Sequence, residues 1–247
     1  MSKIMIMYKI LSVLIIFFVQ NAFSQNYDAG FSKPIVTEEG KFVYYETEQL
    51  QTTQGVIIFL DRNLGALSND VSSLDSWGDL YQWGRATDGH EKRLSDTIMV
   101  LSPNFVTTTK RFIIDYKHAN DWTLSVKDDL WNGNEKINNP CPCGYRLPTE
   151  KEWRAVLELG AEIKSTNEGG YYLSIADGKL KLPCAGLRNA YSGDIQYQGM
   201  RGYYWGEDAK AHSLSSCMDF NKTEITTNVT IYGYRAFGRS VRCIKDK

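Results

Sequence analysis

Cysteine is absent from the first 140 residues of this 247-residue chain, histidine occurs only three times, and no apolar run after residue 24 is long. Each shortage closes off a class of protein. Crossing a bilayer takes about 20 consecutive apolar residues, so the body of the chain offers no membrane anchor. His90, His118 and His212 stand far apart, and none lies at ligand spacing from a cysteine pair, which argues against a Cys/His zinc site. Charge of one sign is missing too: 28 Lys and Arg meet 29 Asp and Glu, mixed along the chain without a basic block. Nucleic acid is therefore a poor partner. No Pro/Ser-rich linker divides the chain, and its length suits one domain.

What is present begins at the N-terminus. Lys3 and Lys9 supply positive charge, residues 10–19 are apolar apart from Ser12, and Ala22 and Ser24 are small residues where a signal peptidase reads. This pattern predicts a signal peptide over 1–24, cleaved after Ser24, then a flexible segment over 25–40 and a single domain over 41–247. The expected destination is periplasmic, cell-surface or secreted. No cysteine near the cleavage site is placed to carry a lipid anchor. In an oxidising compartment, thiols within reach pair. The five here, Cys141, Cys143, Cys184, Cys217 and Cys243, leave at least one without an internal partner.

Strands are expected at 41–46 and 55–60, the second a continuous apolar run. Residues 61–88 are rich in turn formers, with Trp77, Leu80, Tyr81 and Trp83 expected to pack beneath. Residues 90–139 form a long surface excursion with a short helix at 121–130, and long loops carry function more often than average. The clearest local signal lies at 146–153, where Thr149 is placed to cap a helix and Glu152 to return a bond to the cap. The helix is expected over 149–159, and Gly160 ends it. Short strands follow at 171–175, 179–182, 202–205, 212–220, 225–232 and 240–244, alternating as antiparallel sheet with one wet face. One helix with many short strands is an α+β fold.

Several strings fall in a distinctive order: Asp61-Arg62-Asn63-Leu64-Gly65-Ala66, Gly78-Asp79-Leu80-Tyr81-Gln82-Trp83-Gly84-Arg85, Cys141-Pro142-Cys143-Gly144-Tyr145-Arg146-Leu147-Pro148-Thr149, Leu182-Pro183-Cys184-Ala185-Gly186-Leu187-Arg188, Tyr203-Tyr204-Trp205-Gly206 and Ser240-Val241-Arg242-Cys243. From about Gly55 to the C-terminus the chain resembles the Fibrobacter succinogenes major paralogous domain, an exported bacterial family. The resemblance implies a C-type-lectin-like fold, in the group that includes formylglycine-generating enzymes, with a small twisted antiparallel sheet, one main helix and long loops. Members sit on or outside the bacterial cell, with ligands mostly undefined. It further implies that Cys141 and Cys243 are neighbours, and a bridge closing so long a loop is worth on the order of 4 kcal/mol. Cys184 and Cys217, both on expected strands, are a second candidate pair. Cys143 departs from the family pattern and is left free or available to another chain.

Chemistry is harder to find. Formylglycine-generating enzymes hold copper between two cysteines near the C-terminus, where this chain has only Cys243. Sugar-binding C-type lectins hold calcium with Glu-Pro-Asn or Gln-Pro-Asp and Trp-Asn-Asp strings. These are missing, and Asn120-Asp121-Trp122 and Trp131-Asn132-Gly133 only echo the last, before the helix. The acidic loop 115–129 reads as solvated charge or as a structural calcium site. The string 84–91 reads as a tight turn, and Arg85, Arg146, Arg188 and Arg242 as clamps on loop carbonyls. Trp83, Trp153 and Trp205 belong to the core. Trp122, Trp131, Tyr191, Tyr197 and Tyr203, in or beside loops, make a candidate ligand face. No catalytic residue, metal ligand or cofactor is nominated. The expectation is a non-catalytic binding or adhesion module for a glycan or protein. The alternatives are a structural or assembly part of an envelope complex and, third, a formylglycine-generating-type oxidase.

Overall fold

Thr149 sets the start of helix α1, Glu150–Leu157, through a capping box: its hydroxyl accepts from the Glu152 amide at 3.2 Å and the Glu152 carboxylate accepts from the Thr149 amide at 2.9 Å. Trp153, Val156 and Leu157 lie on its buried face; the helix ends at Leu157, two residues short of the expected 159, and Gly160, at φ +91°, turns the chain away. The computed structural model in which this is seen describes residues 35–36, 42–107, 109–117, 120–132, 135–210, 213–226 and 233–247. The expected signal peptide, most of the 25–40 segment, His118, His212 and residues 227–232 of the expected last strands lie outside these residues. Among the described residues α1 is the one α-helix, and none is long and apolar enough to cross a membrane.

The remainder is mostly small antiparallel sheets, so the fold is α+β in a loose sense. The longest pair is the hairpin Arg201–Lys210 with Leu214–Asn221. Alternation along it creates two faces. Tyr204 opposite Met218, together with Phe220, joins Trp153, Phe59 and Leu182 in the core beneath α1. Trp205 opposite Cys217 joins Trp83, Trp122, Trp131 and the disulfide in a second core on the other face.

A second sheet runs Thr47–Thr52, Gly55–Leu60, Ile244–Lys245, Tyr145–Arg146. It seats the C-terminal strand between the first hairpin and the segment that leads into α1, and there Cys141 and Cys243 are bonded. A meander of Ala161–Ser165, Tyr171–Ile175 and Leu180–Pro183 follows α1. A fourth sheet orders Ile195–Gln196, Leu187–Arg188, Gly238–Arg239 and Tyr81–Gln82, and the pair Thr97–Ile98 with Phe112–Ile113 is parallel.

Several expectations need correcting. No helix forms at 121–130, where the chain runs through turns and one bridge to Ser102. Its apolar residues do not share a helical face, because Trp122 and Leu130 are drawn into the core while Leu124 and Val126 stay exposed. Within 41–46, Phe42–Val43 pairs with Ile35–Val36 and residues 44–46 are outside any strand. The edge strands Thr47–Thr52 and Ala161–Ser165 were not expected, since their sequences are largely polar; Leu50 is the one buried residue in the first, and the second has none.

Candidate functional site

The five aromatics of the candidate face separate. Trp122 and Trp131 are 1% and 0% exposed and do not belong to a ligand face. Their indole N–H groups explain why: Trp122 donates to the Trp83 carbonyl at 2.7 Å and Trp131 to the Asn138 carbonyl at 2.8 Å, so each pins its loop from inside. Tyr191 and Tyr197, at 42% and 44%, are on the surface. Tyr191 meets Phe237 edge-on, whereas Tyr197 lies 6.3 Å from Tyr203, which is itself buried at 6%, so of this pair only Tyr197 stays on the face.

That pair begins a ladder of rings and cations. Arg201 lies 5.8 Å from the Tyr197 ring and 5.3 Å from Tyr203, and Arg239 lies 5.4 Å from Tyr203 and 4.7 Å from Trp205. Asp219, across the hairpin from Tyr203, accepts from Arg201 Nη2 at 2.8 and 3.0 Å. Burial pushes the Tyr203 hydroxyl up to about 12. Tyr197 has φ +61°, a left-handed conformation that costs a non-glycine residue about 1 kcal/mol or more. The Met200 and Arg201 amides hold it by donating to its carbonyl, both at 3.0 Å.

Cys184 and Cys217 do not form the second candidate bridge; both are thiols. The hairpin separates them, with Cys184 in the core beneath α1 and Cys217 in the opposite one, where its sulfur accepts from Arg239 at 2.9 Å. Burial raises Cys184 to about 12 and also raises Cys217, so neither is a ready nucleophile. Cys143 is exposed and unbonded.

Among the described residues the one close group of metal-ligating side chains is Asp88, His90 and Glu91. Its atoms are committed within the protein. His90 Nε2 accepts from the Gln82 amide at 3.1 Å and Nδ1 lies 2.7 Å from Asp88, while the Glu91 carboxylate accepts from the Gly89 amide at 2.8 Å. Arg85 occupies the other Asp88 oxygen at 2.7 Å. Burial lowers His90 to about 4, so the ring is neutral at physiological pH. Burial also raises the Asp88 carboxyl, but the hydrogen bonds from His90 and the Arg85 guanidinium beside it outweigh that and hold Asp88 below the usual range. These contacts tie the group into the turn that the string forms.

The acidic loop is likewise used from within. Asp128 pairs with Arg235, Asp129 lies 3.4 Å from Lys127, and buried Asp121 lies 3.9 Å from Arg235. These carboxylates do not converge on a cation position. The four string arginines are clamps: Arg85 donates to the Thr109 and Arg111 carbonyls, Arg188 to those of Lys92, Ser95 and Gly193, Arg242 to those of Leu60, Asp61 and Lys181, and Arg146 to Leu147 and three carboxylates.

A pocket of about 250 Å³ opens where the segments 71–77, 166–171 and 198–200 meet, beside the ladder. Trp77 and Tyr171 supply its rings, Leu74 and Met200 its exposed apolar surface, and Glu168 and Gln198 its polar edge. Gly199 joins the walls, donating to the Cys184 carbonyl at 2.7 Å and accepting from the Tyr171 amide at 2.8 Å. Trp77 is not packed beneath like Leu80, Tyr81 and Trp83. It is half-buried, with the Arg93 guanidinium 5.4 Å from its ring. Sequence reasoning missed this residue because one aromatic in an aromatic-rich run looks like core; its place between Ser76 and Gly78, outside any strand, was the available signal. The chain matches no protein-family profile, no curated protein and no solved structure.

Proposed function

We propose that this protein is an exported, non-catalytic binding module with a C-type-lectin-like arrangement, presenting its loop surface to a glycan or protein outside the cytoplasm. The observation that carries this reading is the convergence of three loop segments into a pocket with two aromatic walls, beside the exposed Tyr197 of the ring and cation ladder. Rigid aromatics flanked by polar groups bind by stacking and by directional bonds. Half-buried Asp88 and buried His90 and Glu91, whose atoms are spent on the protein itself, offer little to a catalytic mechanism. The basic, apolar and small-residue parts of the N-terminal sequence support export, and so does a disulfide that joins the approach to α1 with the last strand. The ordered strings, which resemble those of the Fibrobacter succinogenes major paralogous domain, support the same reading.

The test is binding of the purified mature protein to arrays of glycans and of cell-surface proteins. The expected result is a saturable signal on at least one array, reduced by Tyr197→Ala or Trp77→Ala. Silence on both arrays contradicts the proposal. One observation favours the alternative of an assembly component, namely the exposed thiol of Cys143. A disulfide-linked complex on non-reducing gels, lost in Cys143→Ser, would support that alternative.

A further inference from the structure

Six tryptophans present six indole N–H donors, and five of them end on backbone carbonyls in the interior: Trp83 on Gly206, Trp122 on Trp83, Trp131 on Asn138 and Arg85, Trp153 on Trp205, and Trp205 on Tyr81. The sixth, Trp77, has no acceptor among the described residues, and it is the one that walls the pocket. The side-chain polar atoms of Glu168 and Gln198, on the facing segments, likewise have no hydrogen-bond partner among the described residues. In a chain that uses its other indoles as internal fasteners, this hollow brings together a ring with a free donor and, from the exposed Glu168 and Gln198, a carboxylate and an amide.

From this set we infer that the pocket binds a single neutral pyranose ring, the end residue of a glycan; the inference rests on the binding-module reading. A pyranose has a face of C–H groups and an edge of hydroxyls. The C–H face suits an aromatic wall, and the edge suits groups that donate and accept side by side. Arg93 covers one face of Trp77, and its Nη1, buried without a hydrogen-bond partner, holds positive charge against that ring. Trp77 also lines the pocket, where the sugar is to stack on it. The indole N–H donates to a ring or hydroxyl oxygen, the Glu168 carboxylate accepts from neighbouring hydroxyls, and Gln198 does either.

Size and charge narrow the class. A volume of about 250 Å³ lies below the ~300–1,000 Å³ of pockets for drug-sized ligands and accommodates one ring rather than a chain. Glu168 selects against uronic and sialic acids by repulsion between like charges. Gly199, at φ +74° with both backbone polar groups spent, brings the ligand against bare backbone. A site with so few contacts binds weakly, and useful avidity comes from repeated ends on a surface.

The experiment is saturation-transfer NMR on the full mature protein with D-glucose, D-galactose, D-mannose, L-fucose and N-acetyl-D-glucosamine, and with D-glucuronate as the charged control. At least one neutral sugar is expected to receive saturation, with affinity falling about tenfold in Glu168→Ala and lost in Trp77→Ala. Trp77→Phe, which keeps a ring and removes the donor, is expected to fall between, and near-ultraviolet circular dichroism checks that each variant is folded. No transfer to any neutral sugar, transfer unchanged in folded Trp77→Phe and Glu168→Ala, or a preference for glucuronate overturns the assignment. Array binding that survives both substitutions removes the sugar pocket and leaves the binding module standing, whereas silence on both arrays removes both.

Discussion

Asn63 and Arg242, 179 positions apart, form a buried fork in which Asn63 Oδ1 accepts from Arg242 Nη2 at 2.9 Å and Nε at 3.2 Å. The other end of the same amide donates to the Trp77 carbonyl at 3.0 Å and the Tyr204 hydroxyl at 3.1 Å. Burial lowers Arg242 to about 10, still well above physiological pH, so a full charge is buried here and this cage of acceptors offsets its desolvation. One side chain thereby connects the end of the chain, the core beneath α1 and the backbone of the pocket's tryptophan.

Asn63→Ala is expected to lower stability by about 1–3 kcal/mol, because it leaves the buried Arg242 Nε and the Trp77 carbonyl without the partner they share. Urea unfolding measures the loss. Sugar or array binding is expected to weaken as well, since Trp77 loses its tether.

Cys141→Ser with Cys243→Ser removes a link across 102 residues and is expected to cost about 4–5 kcal/mol in the chain-entropy picture. In the oxidised native protein iodoacetamide should label Cys143 alone, and after unfolding it should also label Cys184 and Cys217. Intact mass resolves the two cases, and native labelling at Cys184 or Cys217 would contradict their burial.

Stability is expected to depend on His90 between about pH 6.5 and about pH 4. The folded imidazole titrates at about 4 against an ordinary 6.5, so its contribution is complete above 6.5 and is lost as pH falls through that window. The full effect is on the order of 3 kcal/mol. Asp121 works in the opposite sense. Burial raises it to about 6 from 3.8, so it protonates earlier in the folded protein and adds stability as pH falls from about 6 to 3.8. Urea midpoints from about pH 7.5 to about 4 should therefore drop less steeply, or rise, in His90→Asn. An unchanged slope in that variant would contradict the buried neutral ring.

Trp131→Ala is expected to destabilise by about 3–5 kcal/mol, as for a large core aromatic, while Tyr191→Ala changes stability by less than about 1 kcal/mol. Thermal or urea unfolding of the pair checks the division of the candidate face into core and surface.

Where a feature depended on neighbours in sequence, the sequence was a sound guide. The Thr149 and Glu152 capping box lies within one turn, and the Gly55–Leu60 strand declares itself by an unbroken apolar run. The bridge from Cys141 to Cys243 was legible only through the resemblance. Features decided by packing were hidden. Trp77, Trp122 and Trp131 all stand among polar and turn-forming residues, and only the carbonyls each finds, or does not find, across 7 to 46 positions distinguish a fastener from a pocket wall. The pocket joins segments 71–77, 166–171 and 198–200, a closeness that no local pattern encodes.

The most direct measurement is the set of six indole N–H signals in a ¹H–¹⁵N spectrum, followed first in D₂O and then through titration with the neutral sugars. Five signals should persist in D₂O while that of Trp77 exchanges at once, and on titration the Trp77 signal should move while the other five stay. A protected Trp77 signal, or sugar-induced shifts confined to other indoles, would contradict a binding site at this pocket.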